Sequence, residues 1–399
     1  MGYDIDRIRA DFPALESGNA HFDGPGGTQT PRQVAQAIAG ALTAPLSNRG
    51  TLTQGEKNAE QFVLSARDAM AALLGGESTG VVFGRSATQL CYDFSRWISR
   101  DWGPGDEIVV TRLDHDSNIR PWAQAAERTG ATLKWLNFDP ESGELDSIDS
   151  VLSEHTKLVA VTAASNLIGT KPPVASISKA AHEVGALCYV DGVHYTAHCF
   201  VDVDELGADF YSCSPYKFLG PHLGVLHALP SLLEELWPDK LLPSTNQVPE
   251  RFEFGTLPYE MLAGVSAAVD YLSTLGGAQG NSLRNRIRNS FESLEQYEHE
   301  LLSKLEAELS TMPQVKIHSN AKNRTPTLLL TFEGKSTVDA YHFLAARKVD
   351  APSSNFYALE ASRRLGLGND GGLRVGLAPY SSAEDTNRLV TGLREFLAS

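Results

Sequence analysis

The chain has 399 residues, of which 42% are hydrophobic and 21% are charged, so it is long enough for two domains with large buried cores. Its formal net charge of -15, from 49 acidic and 34 basic residues, argues against non-specific nucleic-acid binding and against an anionic membrane surface. No apolar run approaches the roughly 20 residues of a membrane span, and the N-terminus lacks the pattern of a secretion signal, so we expect a cytoplasmic protein.

Apolar periodicity and turn residues predict an alternation of strands and helices through most of the chain. Such alternation indicates a mostly parallel sheet with helices on both faces, followed by a smaller α+β domain. In chain order the predicted elements are helix 5–12, strand 21–23, a helix from residue 30, helix 61–74, strand 81–83, helix 89–98, strand 107–111, helix 122–128, strand 132–136, helix 147–152, strand 158–162, helix 177–184, strands 186–190 and 209–213, helices 259–272 and 282–310, strand 327–332, helix 337–347, strand 373–377 and a last helix that reaches residue 396.

A glycine-rich boundary at 275–280 suggests how the chain divides. We predict an N-terminal segment at 1–20 that packs with the small domain, a large domain at 21–275, and a small C-terminal domain at 276–399. Ser381 and Glu384 are predicted to form a capping box at the start of the last helix,.

Two turns in the first quarter of the chain are candidate ligand sites. In HFDGPGGTQTP, Gly26 and Gly27 either make a simple turn or leave space for a ligand,. The turn GRSAT, which contains Ala87 and Thr88, joins a strand to a helix. Backbone N–H groups and the positive helix end converge at such a turn and favour an anion, although many α/β units contain one.

Polar residues follow two further predicted strands, 107–111 and 158–162, where those strands end. His115 lies in LDHDSNIRPW and Asn166 in AASNLIGT. Ligands gather at the carboxyl ends of strands in open α/β sheets. The alternatives are a histidine in a surface loop and an asparagine that only forms a turn.

A carboxylate and a lysine follow two adjacent predicted strands in the middle of the chain. Asp191 ends the first strand, and Ser214, Tyr216 and Lys217 come directly after the second. This is the arrangement that pyridoxal phosphate (PLP) chemistry needs, because the lysine forms a Schiff base and the carboxylate pairs with the protonated pyridine nitrogen. A buried structural aspartate and an ordinary surface lysine are the alternative.

Arg374 lies inside an apolar predicted strand of the C-terminal part. A buried guanidinium is costly unless it is paired, and its planar fork suits a carboxylate. The carboxylate belongs either to a substrate or to a structural salt bridge.

Together these motifs resemble the class V aminotransferase, or cysteine desulfurase-like, family of fold-type I PLP enzymes, over nearly the whole chain. The resemblance rests on DGVH at 191–194, SPYK at 214–217 with Gly-Pro after it, SNLIGT at 165–170, and RFEFGT at 251–256. It implies a mostly parallel sheet of the seven-stranded type and the cofactor PLP. The implied roles are catalysis by Lys217, Asp191 and the ring-stacking His115; PLP binding by these three and by Ala87, Thr88, Asn166, His194, Ser214, Tyr216 and Thr256; and substrate binding by Arg374, Gly26 and Gly27.

The resemblance also implies a homodimer with shared active sites, because the threonine at the position of Thr256 reaches the phosphate of the other subunit. The four cysteines, Cys91, Cys188, Cys199 and Cys213, form no CxxC pair. No metal site is therefore predicted, and free buried thiols are expected.

The sequence departs from the cysteine desulfurases at three positions. Their mobile-loop cysteine is absent, and its rough equivalent is Tyr357; Asp116 replaces a second histidine, and Tyr216 replaces the histidine before the lysine. We therefore predict a PLP enzyme that cleaves the Cβ–S bond of a cysteine-type amino acid without a protein persulfide. Amino transfer and racemisation or epimerisation remain alternatives, as does a PLP-fold protein retained for binding. A nicotinamide dehydrogenase is disfavoured because no G-x-G-x-x-G follows the first strand.

Overall fold

The computed structural model describes residues 3–278 and 280–399. Met1, Gly2 and Gln279 lie outside the described residues, so the predicted boundary at 275–280 is described except at Gln279. The helices are α1 (Ile5–Ala10), α2 (Arg32–Thr43), α3 (Gln54–Leu74), α4 (Ala87–Ile98), α5 (Arg120–Thr129), α6 (Val174–Glu183), α7 (Val203–Leu206), α8 (Pro230–Glu235), α9 (Tyr259–Leu272), α10 (Leu283–Leu309), α11 (Thr337–Ala345), α12 (Leu359–Arg364) and α13 (Ala383–Ala398).

The strands form a large sheet and smaller ones. They are β1 (Ala20–His21), β2 (Val81–Gly84), β3 (Glu107–Thr111), β4 (Thr132–Leu136), β5 (Thr156–Thr162), β6 (Leu187–Asp191), β7 (Phe210–Cys213), β8 (Gly224–Ala228), β9 (Val315–Ile317), β10 (Thr327–Phe332), β11 (Val349–Asp350), β12 (Ser353–Ser354) and β13 (Gly372–Gly376).

The large sheet has seven strands in the order β2-β8-β7-β6-β5-β3-β4. Its pairs are parallel except where β8 meets β2 and β7. Neighbouring residues of a strand face opposite sides: Val159 and Val161 belong to one buried cluster, Leu158 and Ala160 to the other. Burial on both faces is why β5 is an almost unbroken apolar run, and the predicted fold class is confirmed.

A smaller antiparallel sheet, in the order β12-β13-β10-β9, forms the C-terminal α+β domain. Its apolar face packs on α10 and α13, with Leu305, Leu328 and Leu393 in one buried cluster. The N-terminal segment contacts this domain: the Tyr3 ring stacks on Tyr297 at 4.4 Å between centroids.

The capping box predicted from Ser381 and Glu384 is wrong by one residue. The side chain of Ser382 accepts from the Asp385 backbone N–H, and the Asp385 carboxylate accepts from the Ser382 N–H. The Ser381 hydroxyl instead accepts from the Ala378 N–H at 2.9 Å and closes the preceding turn. Aspartate therefore fills the role that glutamate usually has in this motif.

No helix within the described ranges is long and apolar enough to cross a membrane. The same residues contain no group of three or more histidine, cysteine, aspartate or glutamate side chains arranged to hold a metal ion.

Candidate active site

A cavity of about 520 Å³ opens where β3, β5, β6 and β7 end, and loops of the C-terminal domain close one side of it. Two residues predicted for the site do not line it. Gly27 stands behind the cavity wall, with its N–H bonded to the Asp23 carbonyl at 3.0 Å, and Thr256 is exposed elsewhere on the surface. The predicted residues that do line it are Gly26, Ala87, Thr88, His115, Asn166, Asp191, His194, Ser214, Tyr216, Lys217 and Arg374.

Lys217 reaches the cavity from the turn that follows β7. Its Nζ donates to the carbonyl oxygens of Pro25 at 2.5 Å and Gly26 at 2.8 Å. Burial, and then the positive charge of Arg374, lower the pKa of this amine to about 7,. A side chain at position 26 would collide with the Asp23 carboxylate, 2.2 Å from the place of its Cβ. Glycine therefore lets the loop present its carbonyl to the lysine.

Asp191 ends β6 on the floor of the cavity and is almost fully buried. Its Oδ1 accepts from the Val193 N–H at 2.9 Å. Burial raises the pKa of this carboxyl to about 6, and the hydrogen bond from Val193 and the charge of Lys217 oppose the rise. A cationic ring nitrogen beside Asp191 would stabilise the carboxylate.

His115 lies just beyond β3, where it caps a short 3-10 turn. Its Nδ1 is 2.7 Å from the Ser117 hydroxyl and accepts from the Ser117 N–H at 3.1 Å. Burial, followed by the charges of Lys217 and Arg374, lowers the pKa of His115 to about 4. The imidazole is therefore neutral near pH 7, as a ring that stacks on an aromatic cofactor should be.

Asp114 directly precedes His115 in the chain, and the sequence reasoning missed it. It is fully buried, accepts from the Asn118 amide at 2.7 Å and from the Thr111 hydroxyl, and burial raises the pKa of its carboxyl to about 8. The Asn118 Oδ1 in turn accepts from the Trp122 indole N–H at 3.1 Å. An aspartate three residues after the end of β3 was the available signal.

The N-terminus of α4 and the turn after β7 form the opposite wall. Ser86 caps the helix by accepting from the Gln89 N–H at 3.1 Å, and Ala87 and Thr88 begin the first turn. These backbone N–H groups and the helix dipole suit a phosphate. Tyr216 stacks on His222 with 4.7 Å between ring centroids, which fixes the phenol at the cavity wall.

Several buried polar atoms of this site have no hydrogen-bond partner among the residues that the structure describes. They are Oδ1 of Asn166, Nδ1 of His194 and Nε of Arg374. Buried polar atoms are rarely left unpaired unless a water or a ligand satisfies them. With the amine of Lys217 and the carboxyl of Asp191, these atoms form a donor and acceptor set that fits PLP and an amino-acid substrate.

Arg374 is 2% exposed and makes the salt bridge that the sequence left open. Its guanidinium bonds to Asp23 at 2.5 Å and to the Asn166 carbonyl at 3.1 Å, and it lies 3.7 Å from the centre of the Phe356 ring. Arg374 also lines the cavity, so the structural pairing does not remove it from the site.

Phe356 and Tyr357 cover the cavity from the C-terminal domain, and sequence reasoning did not place Phe356 there. Both have left-handed backbones, with φ of 52° and 59°, which is strained for residues other than glycine. Asn166 Nδ2 donates to the Phe356 carbonyl at 2.9 Å, and the Asp116 N–H donates to the Tyr357 carbonyl at 2.7 Å. The Tyr357 ring is 74% exposed at the cavity mouth, 5.6 Å from His115.

Comparison with known proteins finds relatives that match nearly the whole chain. An uncharacterised protein of Mycobacterium tuberculosis, MT3887, is 30% identical over 98% of this chain and 99% of its own length. A cysteine desulfurase of Enterobacter is 29% identical over 99% of this chain and 98% of its own length. The fold superposes on the cysteine desulfurase CsdA of Escherichia coli with a TM-score of 0.88 and 24% identity, over 99% of both chains.

The family model described as aminotransferase class-V matches residues 20–389. This match contains the candidate lysine, the buried aspartate and the cavity-lining arginine. The chain therefore belongs to the aminotransferase class-V family of PLP-dependent enzymes.

Proposed function

We propose that the protein binds PLP and cleaves the Cβ–S bond of a cysteine-type amino acid without forming a protein persulfide. The observation that carries the proposal is that most of the candidate PLP-binding side chains line one cavity, and that no cysteine belongs to its lining. Amino transfer and racemisation or epimerisation are the alternatives.

Each group of residues around the cavity would contact a different part of PLP. Lys217 would hold the aldehyde carbon, Asp191 the pyridine nitrogen, His115 the ring face, and the turn at Ala87 and Thr88 the phosphate, with Ser214 and Tyr216 beside it. When bound, PLP supplies an electron sink that withdraws charge from the substrate Cα.

Lys217 is the candidate base for the Cα proton. With a pKa lowered to about 7 by burial and by Arg374, its amine has a free lone pair near neutral pH and can accept a proton. The carbonyl oxygens of Pro25 and Gly26 hold Nζ in place and stabilise the ammonium once it forms.

Arg374 is the candidate receptor for the substrate carboxylate. The salt bridge to Asp23 neutralises the buried guanidinium while no substrate is present. A substrate carboxylate that takes the place of Asp23 restores a charge-assisted pair, and the 44% exposed side chain of Asp23 can turn to water. The Phe356 ring on the guanidinium confines the entering carboxylate to that side.

The sulfur leaves without a protein acceptor in this proposal. All four cysteines are free and buried, and burial raises the pKa of each thiol. Loss of the Cα proton and of the Cβ–S bond releases a thiol and an enamine, and water hydrolyses the enamine to pyruvate and ammonia. Tyr357, at the rough position of the loop cysteine, offers only a phenol at the mouth.

The proposal includes a cytoplasmic homodimer in which Thr256 of one subunit completes the phosphate site of the other. The dimer is supported by Thr256, which is exposed and does not line the cavity of its own chain. The cytoplasmic location is supported by the four free thiols, because cysteines stay reduced in that compartment. Light scattering should give the mass of a dimer, and a fully active monomer of 43.2 kDa would contradict shared sites.

The deciding experiment is a product analysis. PLP-loaded protein is incubated with cysteine or an S-substituted cysteine and no keto acid, and pyruvate, ammonia and the released thiol or sulfide are measured. Equal amounts of all three, absent with Lys217→Ala, support elimination. Conversion of the cofactor to its amine form without pyruvate would instead establish amino transfer, and loss of optical activity without other products would establish racemisation.

A further inference from the structure

His194 lies three residues after Asp191, and its ring is held by two threonines of the C-terminal domain. The ring nitrogen Nε2 is 2.9 Å from the Thr325 hydroxyl and 3.0 Å from the Thr327 hydroxyl. All three side chains are buried. The other ring nitrogen, Nδ1, is buried and has no hydrogen-bond partner within residues 3–278 and 280–399, and the residue lines the cavity.

The hydrogen atoms of the two hydroxyl groups decide which nitrogen carries the imidazole proton. Thr325 has a second acceptor, the Gly169 carbonyl at 3.3 Å. Thr327 is 0% exposed, and in the part of the chain that the structure describes its hydroxyl has a single hydrogen-bond partner, His194 Nε2. If Nε2 carried the proton, the hydroxyl hydrogen of Thr327 would be buried without an acceptor, which is costly.

We propose that Thr327 is a positioning residue that donates its hydroxyl hydrogen to His194 Nε2 and thereby keeps the proton on Nδ1, as a hydrogen-bond donor to the ligand in the cavity. The assignment follows from the hydrogen bonds available to the Thr327 hydroxyl. Of the two tautomers of a neutral imidazole, this hydrogen bond selects the one that carries its proton on Nδ1.

The surroundings of the ring agree with a neutral imidazole. Burial, and then the charges of His198, Arg374 and Lys217, lower the pKa of His194 well below its usual value. The ring of His198 meets it edge to face at 4.9 Å between centroids, and His198 is itself paired with Glu298 at 2.9 Å. The Glu298 carboxylate is therefore engaged by His198.

The Nδ1–H of a neutral imidazole suits an anionic oxygen. On the proposed function, on which this step rests, that oxygen is the phenolic oxygen of PLP. A donor there lowers the basicity of the oxygen and weakens its hold on the proton it shares with the neighbouring nitrogen. Thr327 would thus tune the protonation of the cofactor without touching it.

The first test needs no cofactor. Nitrogen-15 NMR of histidine-labelled, PLP-free protein distinguishes a ring nitrogen that carries hydrogen from one that does not, and His194→Gln assigns the signal among the 11 histidines. The parent should show hydrogen on Nδ1, Thr327→Ser should keep it there, and Thr327→Val should move it to Nε2. Hydrogen on Nε2 in the parent would overturn the proposal, even if no valine variant folds.

The second test uses PLP-loaded protein and the pH midpoint of its visible absorbance. Thr327→Val should raise this midpoint by about 1 unit, the usual effect of losing one hydrogen bond to a charged group, and Thr327→Ser should restore it. The matched control is Thr331→Val, because Thr331 on the same strand bonds Nε2 of His318 at 2.9 Å outside the cavity.

The outcomes separate this inference from the proposed function. An unmoved midpoint in Thr327→Val, or an equal shift in Thr331→Val, overturns the role of Thr327 toward the cofactor. Failure of the protein to bind PLP overturns the proposed function, while the tautomer measured by NMR still decides the hydrogen-bond assignment.

Discussion

The lowered pKa of Lys217 predicts how fast the protein takes up PLP at different pH values. Only the neutral amine attacks the aldehyde. With a pKa of about 7 instead of the usual 10.5, about 90% of the amine is neutral at pH 8 where about 0.3% would otherwise be. Burial thus raises the reactive fraction about 300-fold at that pH.

The sign of the pH dependence follows from this value. Below pH 7 the amine is mostly protonated, so the loading rate should rise about fivefold from pH 6 to pH 7 and nearly tenfold for each pH unit below that. Above pH 7 the rate should level off, because nearly every amine is already neutral. A lysine with an ordinary pKa would show a rising rate throughout the range from pH 6 to pH 9.

Arg374→Gln is the perturbation that tests the cause. The charge of Arg374 is the second contribution that lowers the pKa of Lys217, after burial, whereas Asp23 raises it. Removal of the guanidinium therefore leaves Asp23 unopposed, and both effects move the midpoint to higher pH. Arg394→Gln is the matched control, because Arg394 pairs with Glu308 on the surface and does not line the cavity.

The assay follows the visible absorbance as free PLP becomes protein-bound, with borohydride reduction and mass analysis to locate the modified lysine. A loading rate that still rises steeply from pH 8 to pH 9 in the parent would refute the depressed pKa. A midpoint unchanged in Arg374→Gln would show that burial alone sets it.

Three further changes test other parts of the structure. Asp191→Asn should retain PLP but lower kcat about 10- to 100-fold, the usual cost of losing a charged hydrogen-bond partner; an unchanged kcat in steady-state assays would contradict the role of Asp191. Arg374→Lys should raise KM about tenfold, because lysine lacks the planar fork, while a substrate analogue without a carboxylate should be turned over equally by parent and variant. Leu305→Ala should lower the free energy of unfolding by about 2–5 kcal/mol, since Leu305 is buried in the C-terminal core; a denaturant midpoint equal to that of the parent would contradict this packing.

Most of the large sheet could be predicted from sequence because its signals are local, but strand β8 was not predicted. Each predicted strand is a short apolar run bounded by turn residues, and strands β3, β4 and β10 begin and end where they were predicted. Helix α3 begins seven residues before its predicted start, because Thr53 and Glu56 form a capping box that was overlooked. Positions of caps depend on single side chains, so they are the least predictable part of a helix.

From the residues themselves, the candidate site was most predictable where a side chain follows a strand end. Lys217, Asp191 and His115 carry that signal, and the topology of a parallel sheet brings such ends together. Arg374, inside β13, was instead singled out by its charge in an apolar strand. Contacts between distant parts of the chain have no such local signal. Asn166 bonds to Phe356, which is 190 residues away, and His194 bonds to Thr327, which is 133 residues away. Nothing in the local sequence pairs these residues.

The cavity mouth is where the choice between reactions should be made. A persulfide requires a thiolate that can reach the sulfur of the substrate, and burial raises the pKa of Cys188 and of Cys199 to about 12. Neither residue lines the cavity. The side chain at the mouth is Tyr357, whose strained backbone is held by the Asp116 N–H. A phenol there can donate a proton to a departing sulfur but cannot be its nucleophilic acceptor, so we expect the thiol to leave free.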